Sequence, residues 1–188
     1  MAVISPTPTV FLDKDGTILV DVPYNVDPAR MEPMPTVREG LALLGAAGYR
    51  LAVVSNQSGV GLGRFGAAAL EPVEERLREL FAASGAVLSG CFWCTHAPAD
   101  GCGCRKPAPG LVARAANALA SDLGRSWMVG DILDDVEAAH AAGCRAVLVD
   151  RGGETVWRDG PLRHPDARTA TFLDAARHVA SLGSPWRS

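Results

Sequence analysis

Lysine is nearly absent from this chain. Of its 18 basic residues only Lys14 and Lys106 are lysines, and the other 16 are arginines. A basic surplus is missing too. The net charge of −3 argues against nucleic acid or an anionic membrane surface as the main partner. Met1 to Thr9 lacks the basic segment and apolar core of a secretory signal. Leu80 to Ala99 carries no Asp, Glu, Lys or Arg, yet it is no membrane span. Ser84, Gly85, Ser89, Gly90, Thr95, His96 and Pro98 make it too polar and too broken to cross a bilayer. These absences lead to the expectation of a cytoplasmic protein. There, five cysteines, four of them from Cys91 to Cys104, favour metal over disulfides.

With 188 residues and 48% hydrophobic content, the chain can bury one core without staples. One domain over residues 1–188 is expected, with its core at about 9–182. Short β-rich runs at Thr9–Leu12, Arg50–Ser55, Gly90–Cys94, Trp127–Gly130 and Arg145–Val149 are continuously apolar, as in strands buried on both faces of a parallel sheet. Helix-like stretches alternate with them at Thr36–Ala47, Ala67–Ala83, Gly110–Ala120 and Asp134–Ala142, and Thr171–Leu182 follows. Thr36 with Glu39 reads as a capping box, and Gly48 and Gly143 as helix C-caps. Arg151–Ala170 reads as irregular surface and Ser184–Ser188 as a frayed tail. This βαβα grammar predicts a three-layer, Rossmann-like α/β/α fold with a central parallel sheet. In such folds ligands bind beyond the carboxyl ends of the strands, where Asp13, Ser55 and Asp131 fall.

The first strand runs directly into Asp13-Lys14-Asp15-Gly16-Thr17. Two acids this close repel unless a cation sits between them. The pattern suits one carboxylate attacking phosphorus, the other moving a proton, and Mg²⁺ neutralising both. A calcium loop counted from Asp13 fails, because its fifth and twelfth positions hold Thr17 and Tyr24. Later segments supply what such a site still needs: Ser55-Asn56-Gln57-Ser58-Gly59, Arg105-Lys106-Pro107, and Gly130-Asp131 to Asp135.

A second constellation is Cys94-Thr95-His96 followed by Cys102-Gly103-Cys104. Three thiolates and an imidazole favour a closed tetrahedral Zn²⁺ site with a structural role. Cys91-x-x-Cys94 offers an alternative all-cysteine set. Cys91, three residues from Cys94 in a strand, should face the other side of the pleat. Cys91 and Cys144 then read as buried small apolar residues.

In the order DKDGT, SNQSG, RKP and GDILDD, the chain resembles the haloacid dehalogenase-like phosphatases over about Val10 to Val149. The zinc loop running into Cys104-Arg105-Lys106-Pro107 resembles the subgroup of heptose bisphosphate and histidinol-phosphate phosphatases. The resemblance implies Asp13 as nucleophile and Asp15 as acid and base. It implies Mg²⁺ held by Asp13, the Asp15 carbonyl and Asp131, supported by Asp135 and Thr17. Ser55 and Asn56 would contact the phosphoryl group or substrate, Lys106 would neutralise the phosphoryl charge, and Arg105 would reach the rest of the substrate. One charge at ~4 Å with effective ε ~20 is worth about 4 kcal/mol. Only 37 residues separate Thr17 from Ser55 and 46 separate Gly59 from Lys106, so no separate cap domain is expected. Val20–Pro33 is the candidate recognition loop, with Arg105 and Arg64 as cations for a second phosphate. The implied partner is a small phosphorylated metabolite, handled by a monomer. The expected reaction removes the 7-phosphate of D-glycero-D-manno-heptose 1,7-bisphosphate, with histidinol phosphate as the alternative substrate. A phosphoacceptor signalling domain is the alternative of another class; it would leave the acid/base role of Asp15 and the zinc loop unexplained.

Overall fold

A computed structural model describes residues 6–183, so the tail expected at Ser184–Ser188 lies outside the described residues. Strands β1 (Thr9–Leu12), β2 (Arg50–Asn56), β3 (Leu88–Cys94), β4 (Trp127–Gly130), β5 (Arg145–Val149) and β6 (Ala167–Thr169) form one sheet in the order β3-β2-β1-β4-β5-β6. Every pairing is parallel.

Successive strand residues point to opposite faces and so feed two cores. Val10, Leu12, Leu51, Val53 and Val129 pack on one side against α1 (Val37–Ala46), α2 (Leu70–Ala83) and α5 (Phe172–Ser181). Phe11, Ala52, Val54, Met128 and Leu148 pack on the other against α3 (Gly110–Ala118) and α4 (Leu133–Ala142). The sheet is thus covered on both faces, which is why its strands read as unbroken apolar runs.

The strand order reverses at the β1/β4 boundary, where connections leave to opposite sides and open a crevice at the carboxyl ends. Asp13 follows β1 and Asp131 follows β4, so both carboxylates enter that crevice from neighbouring strands. Among the described residues neither long connection holds an inserted domain. Residues 13–36 contain one 3₁₀ turn at Pro28–Arg30, and residues 95–109 one at Pro98–Asp100. No helix among the described residues is long and apolar enough to cross a membrane.

Three sequence expectations need correction. The segment expected to be irregular to Ala170 contains β6, an edge strand of three residues whose pattern is too short and too polar to register. Thr36 forms no capping box. It is left-handed (φ 66°), makes no side-chain cap, and its hydroxyl accepts instead from Leu173 N at 3.2 Å, tying α1 to the start of α5. The side-chain cap belongs to Thr171, whose hydroxyl accepts from Asp174 N at 3.1 Å and donates to Asp174 Oδ2 at 2.7 Å. Cys91 is half-buried rather than buried. Gly48 and Gly143 do adopt the left-handed conformation expected after a helix, at φ 85° and 93°.

Replacing Thr171 with Ala should cost about 1 kcal/mol by stripping the first turn of α5 of its acceptor. Urea denaturation monitored by circular dichroism will read the change; an unaltered midpoint would remove the cap from the stability of α5.

Candidate active site

The turn after β1 is fixed by its backbone. Lys14 C=O accepts from Ile18 N at 3.1 Å and Leu19 N at 2.9 Å, and Asp13 N donates to Val129 O at 3.0 Å. Gly16 sits at φ 81°, and a Cβ there would lie 2.2 Å from Asp131 Oδ2. Only glycine lets this turn close so tightly on Asp131. Gly130 does the same on β4, where a Cβ would meet Asp135 Oδ2 at 2.1 Å. The glycines of the two Asp-Gly and Gly-Asp motifs therefore set the spacing between carboxylates.

Asp13, Asp131 and Asp135 bring one oxygen each to within 4.8 Å of one another. Lys106, 3% exposed, reaches Asp13 Oδ1 at 2.5 Å, Asp135 Oδ1 at 2.6 Å and Val54 O at 3.0 Å. Burial works against its charge, but Asp13 and Asp135 outweigh burial and raise its pKa. Burial pushes the Asp131 carboxyl up to about 7, with Asp13 and Asp135 adding repulsion, while a 2.8 Å hydrogen bond from Thr17 Oγ1 opposes the rise. Asp135 is raised as well, by burial first, against the pull of Lys106.

Were all three carboxylates ionised, the one ammonium would leave an excess of two negative charges, which one divalent cation would balance. Asp135 Oδ2 is buried without a hydrogen-bond partner, a further sign of a missing cationic neighbour. All donors are oxygens, so the set fits a hard ion such as Mg²⁺.

Asp15 stands apart from this cluster. Lys14 Nζ lies 2.6 Å from its Oδ1, and Gln57 Nε2 donates to its Oδ2 at 3.2 Å and to Ser55 Oγ at 3.0 Å. Burial raises the Asp15 pKa despite the opposing pull of Lys14. Both polar atoms of the Asn56 side chain grip the Lys106 backbone, Nδ2 to Lys106 O and Oδ1 from Lys106 N, each at 3.1 Å.

One cleft of about 360 Å³ collects Asp13, Asp15, Ser55, Asn56, Arg105, Lys106 and Asp131. Thr17 and Asp135 stand behind it through their contacts with Asp131 and Lys106. Asp21, Pro23 and Tyr24 bring the 20–33 segment to its wall. Arg105 lines the cleft with Nη1 buried and unpartnered. Arg64 is not among the lining residues; its guanidinium stacks 4.0 Å over the Tyr24 ring. Sequence reasoning assigned no task to Lys14 or Gln57. Gln57 follows β2 directly, and continuing the strand's alternation one residue past its end puts it on the side of Ser55. For Lys14 the signal was the scarcity of lysine itself.

Cys94, His96, Cys102 and Cys104 form a second cluster beside the cleft. Pairs within it lie 3.2–3.7 Å apart: Cys94–Cys102 3.7 Å, Cys94–Cys104 3.2 Å, Cys102–Cys104 3.6 Å, and His96 Nδ1 to Cys94 and Cys104 at 3.6 and 3.3 Å. Tetrahedral zinc with Zn–S ~2.3 Å and Zn–N ~2.0 Å has edges of roughly 3.5–3.8 Å. The set therefore fits Zn²⁺ without a water position. Cys91 lies outside it, packed in the core layer opposite the one holding Cys94. Burial pushes the Cys91 and Cys144 thiols up to about 12. The loop is pinned from both sides, since a Cβ on Gly61 would lie 2.4 Å from Ala97 N and one on Gly110 2.3 Å from Gly103 O.

The profile of the HAD-hydrolase-like family matches residues 103–176. A protein of Pseudomonas aeruginosa named D-glycero-beta-D-manno-heptose-1,7-bisphosphate 7-phosphatase is 41% identical over 174 residues, covering 92% of this chain and 96% of that protein. An Escherichia coli K12 protein of the same name is 36% identical over 156 residues, covering 79% and 82%. The crystal structure of D,D-heptose 1,7-bisphosphate phosphatase from B. bronchiseptica, complexed with magnesium and phosphate, superposes with a TM-score of 0.82 at 31% identity. It covers 94% of this chain and 99% of its own.

Elemental analysis of the purified protein should find about one zinc per chain. Cys104→Ser should lose it and Cys91→Ala should keep it. Zinc lost from the Cys91 variant would return the all-cysteine set to favour.

Proposed function

This chain belongs to the haloacid dehalogenase-like (HAD-like) hydrolase family, and from that premise we propose that it is a Mg²⁺-dependent phosphomonoesterase removing the 7-phosphate of D-glycero-β-D-manno-heptose 1,7-bisphosphate. The observation that carries the reading is the unequal setting of two carboxylates on one cleft. Asp13 is pinned by a buried ammonium beside the acid cluster, while Asp15, outside that cluster, is biased by burial toward holding a proton.

In this reading Asp13 attacks phosphorus, forming an O–P bond as the bond to the sugar oxygen breaks. Asp15 gives its proton to the departing oxygen. Water then attacks the aspartyl-phosphate, Asp15 takes the water's proton, and the bond from Asp13 to phosphorus breaks to release inorganic phosphate. Lys106 balances charge on Asp13 and the phosphoryl oxygens, and Asn56 holds Lys106 in place through its backbone. Ser55 lines the cleft where a phosphoryl oxygen would be bound. Asp13, the Asp15 carbonyl and Asp131 would hold Mg²⁺, with Thr17 and Asp135 orienting the set. The ion supplies neutralisation of the charge on phosphate and nucleophile.

The cleft also supports a bisphosphate. Arg105 lines its wall, where its guanidinium would be the cation for a second phosphate. Zinc in the Cys₃His set would be structural, anchoring the loop two residues before Lys106. We read the chain as a single-domain cytoplasmic monomer acting on a small soluble sugar phosphate, with no nucleic-acid or membrane partner. The net charge of −3 agrees with that.

Phosphate release from heptose bisphosphate with Mg²⁺ should exceed that from histidinol phosphate, and the reverse ranking would transfer the assignment. Asp13→Asn should bring turnover to background with folding intact. Asp15→Asn should reduce kcat by about 10²–10⁴-fold while keeping metal binding. Undiminished hydrolysis in the Asp13 variant would overturn the proposed chemistry.

A further inference from the structure

Among the described residues, one buried cation has no part in the reaction above. Lys106 is committed to Asp13 and Asp135, but Lys14, 2% exposed, points its ammonium at Asp15 Oδ1 from 2.6 Å. Neighbouring residues in extended chain point to opposite sides. Here the turn, closed on Lys14 C=O by Ile18 N and Leu19 N, brings the two side chains together. Buried lysine is rare, and a buried ammonium aimed at a carboxylate on the cleft wall serves more than solubility.

Asp15 is a side chain that must be held. It is 29% exposed on the cleft, and as an acid it must meet the leaving oxygen at hydrogen-bond distance. Its two oxygens are not equivalent. Oδ1 is locked by Lys14, while Oδ2 has only the longer 3.2 Å contact from Gln57 Nε2, itself 5% exposed and shared with Ser55 Oγ. Building on the phosphatase reading, we propose that Lys14 is a positioning residue: it fixes Asp15 Oδ1 so that Oδ2 carries the proton to the leaving oxygen. Gln57 is the second arm, setting the direction of Oδ2 and linking it to Ser55 on the phosphoryl side of the cleft.

Leaving-group dependence separates this role from mere support of the turn. A sugar alkoxide needs a proton to depart, whereas p-nitrophenolate leaves without one. The comparison uses kcat/KM, which includes only steps up to formation of the aspartyl-phosphate and so excludes the later work of Asp15 as base. Lys14→Met should lower kcat/KM on heptose bisphosphate by about 100-fold, but on p-nitrophenyl phosphate by about threefold or less. Lys14→Arg should restore most of the sugar-phosphate activity, and Gln57→Leu should show the same asymmetry more weakly. Should Lys14→Met fail to fold by circular dichroism, Lys14→Gln and Gln57→Leu carry the comparison. Equal losses on both esters in folded variants, or no loss on either, would overturn the placement of Lys14 alone. A wild type inactive on both esters would overturn the phosphatase reading and this inference with it.

Discussion

Three carboxylates converge with one buried ammonium that pairs with two of them, and the rest of the structure is arranged to tolerate that charge imbalance. Asp13, Asp131 and Asp135 would repel one another strongly in a buried setting. Lys106 offsets one charge, and the remaining two match a divalent cation. The strained electrostatics are visible in Asp131, whose carboxyl is pushed to about 7 by burial and its acidic neighbours. A site of this kind holds its electrostatic potential in reserve for an incoming cation and phosphoryl group, and needs little rearrangement to receive them.

The fold creates the convergence through strand order. β1 and β4 are neighbours although more than a hundred residues separate them in the chain, and the crossovers leaving them diverge to opposite faces. Acids placed just after each strand therefore meet in the crevice. Gly16 and Gly130 then remove the Cβ atoms that would hold those acids apart. Two glycines and two strand ends thus bring the acids together.

The cysteine loop completes the same geometry from the other side. The first residue of its cluster, Cys94, ends β3, and the last, Cys104, lies two residues before Lys106. Asn56 at the end of β2 grips the Lys106 backbone through both polar atoms of its side chain. A lysine on a glycine- and proline-rich loop is in this way tied to the end of β2. Rigidity matters here because Lys106 must face two carboxylates at once.

The sequence alone was enough for the alternation of most strands and helices, since strands buried on both faces leave short, unbroken apolar runs with no period of two to confuse them. It was also enough to mark Asp13, Asp15, Ser55, Lys106 and Asp131 as residues for one cleft, because each stands directly after or at the end of such a run or on the loop between them. Cys91 could be set aside from residue spacing, as the pleat separates it from Cys94. What the sequence left undecided depended on contacts between distant segments. Thr36 has the local signature of a cap but is drawn to Leu173, and β6 exists only because β5 offers it a hydrogen-bonding edge. The grip of Asn56 on Lys106 and the contact of Gln57 with Asp15 were decided in the same way. Local preferences are set by neighbours in the chain, whereas the direction of a side chain in a buried site is set by whatever the folded strands bring within about 3 Å of it.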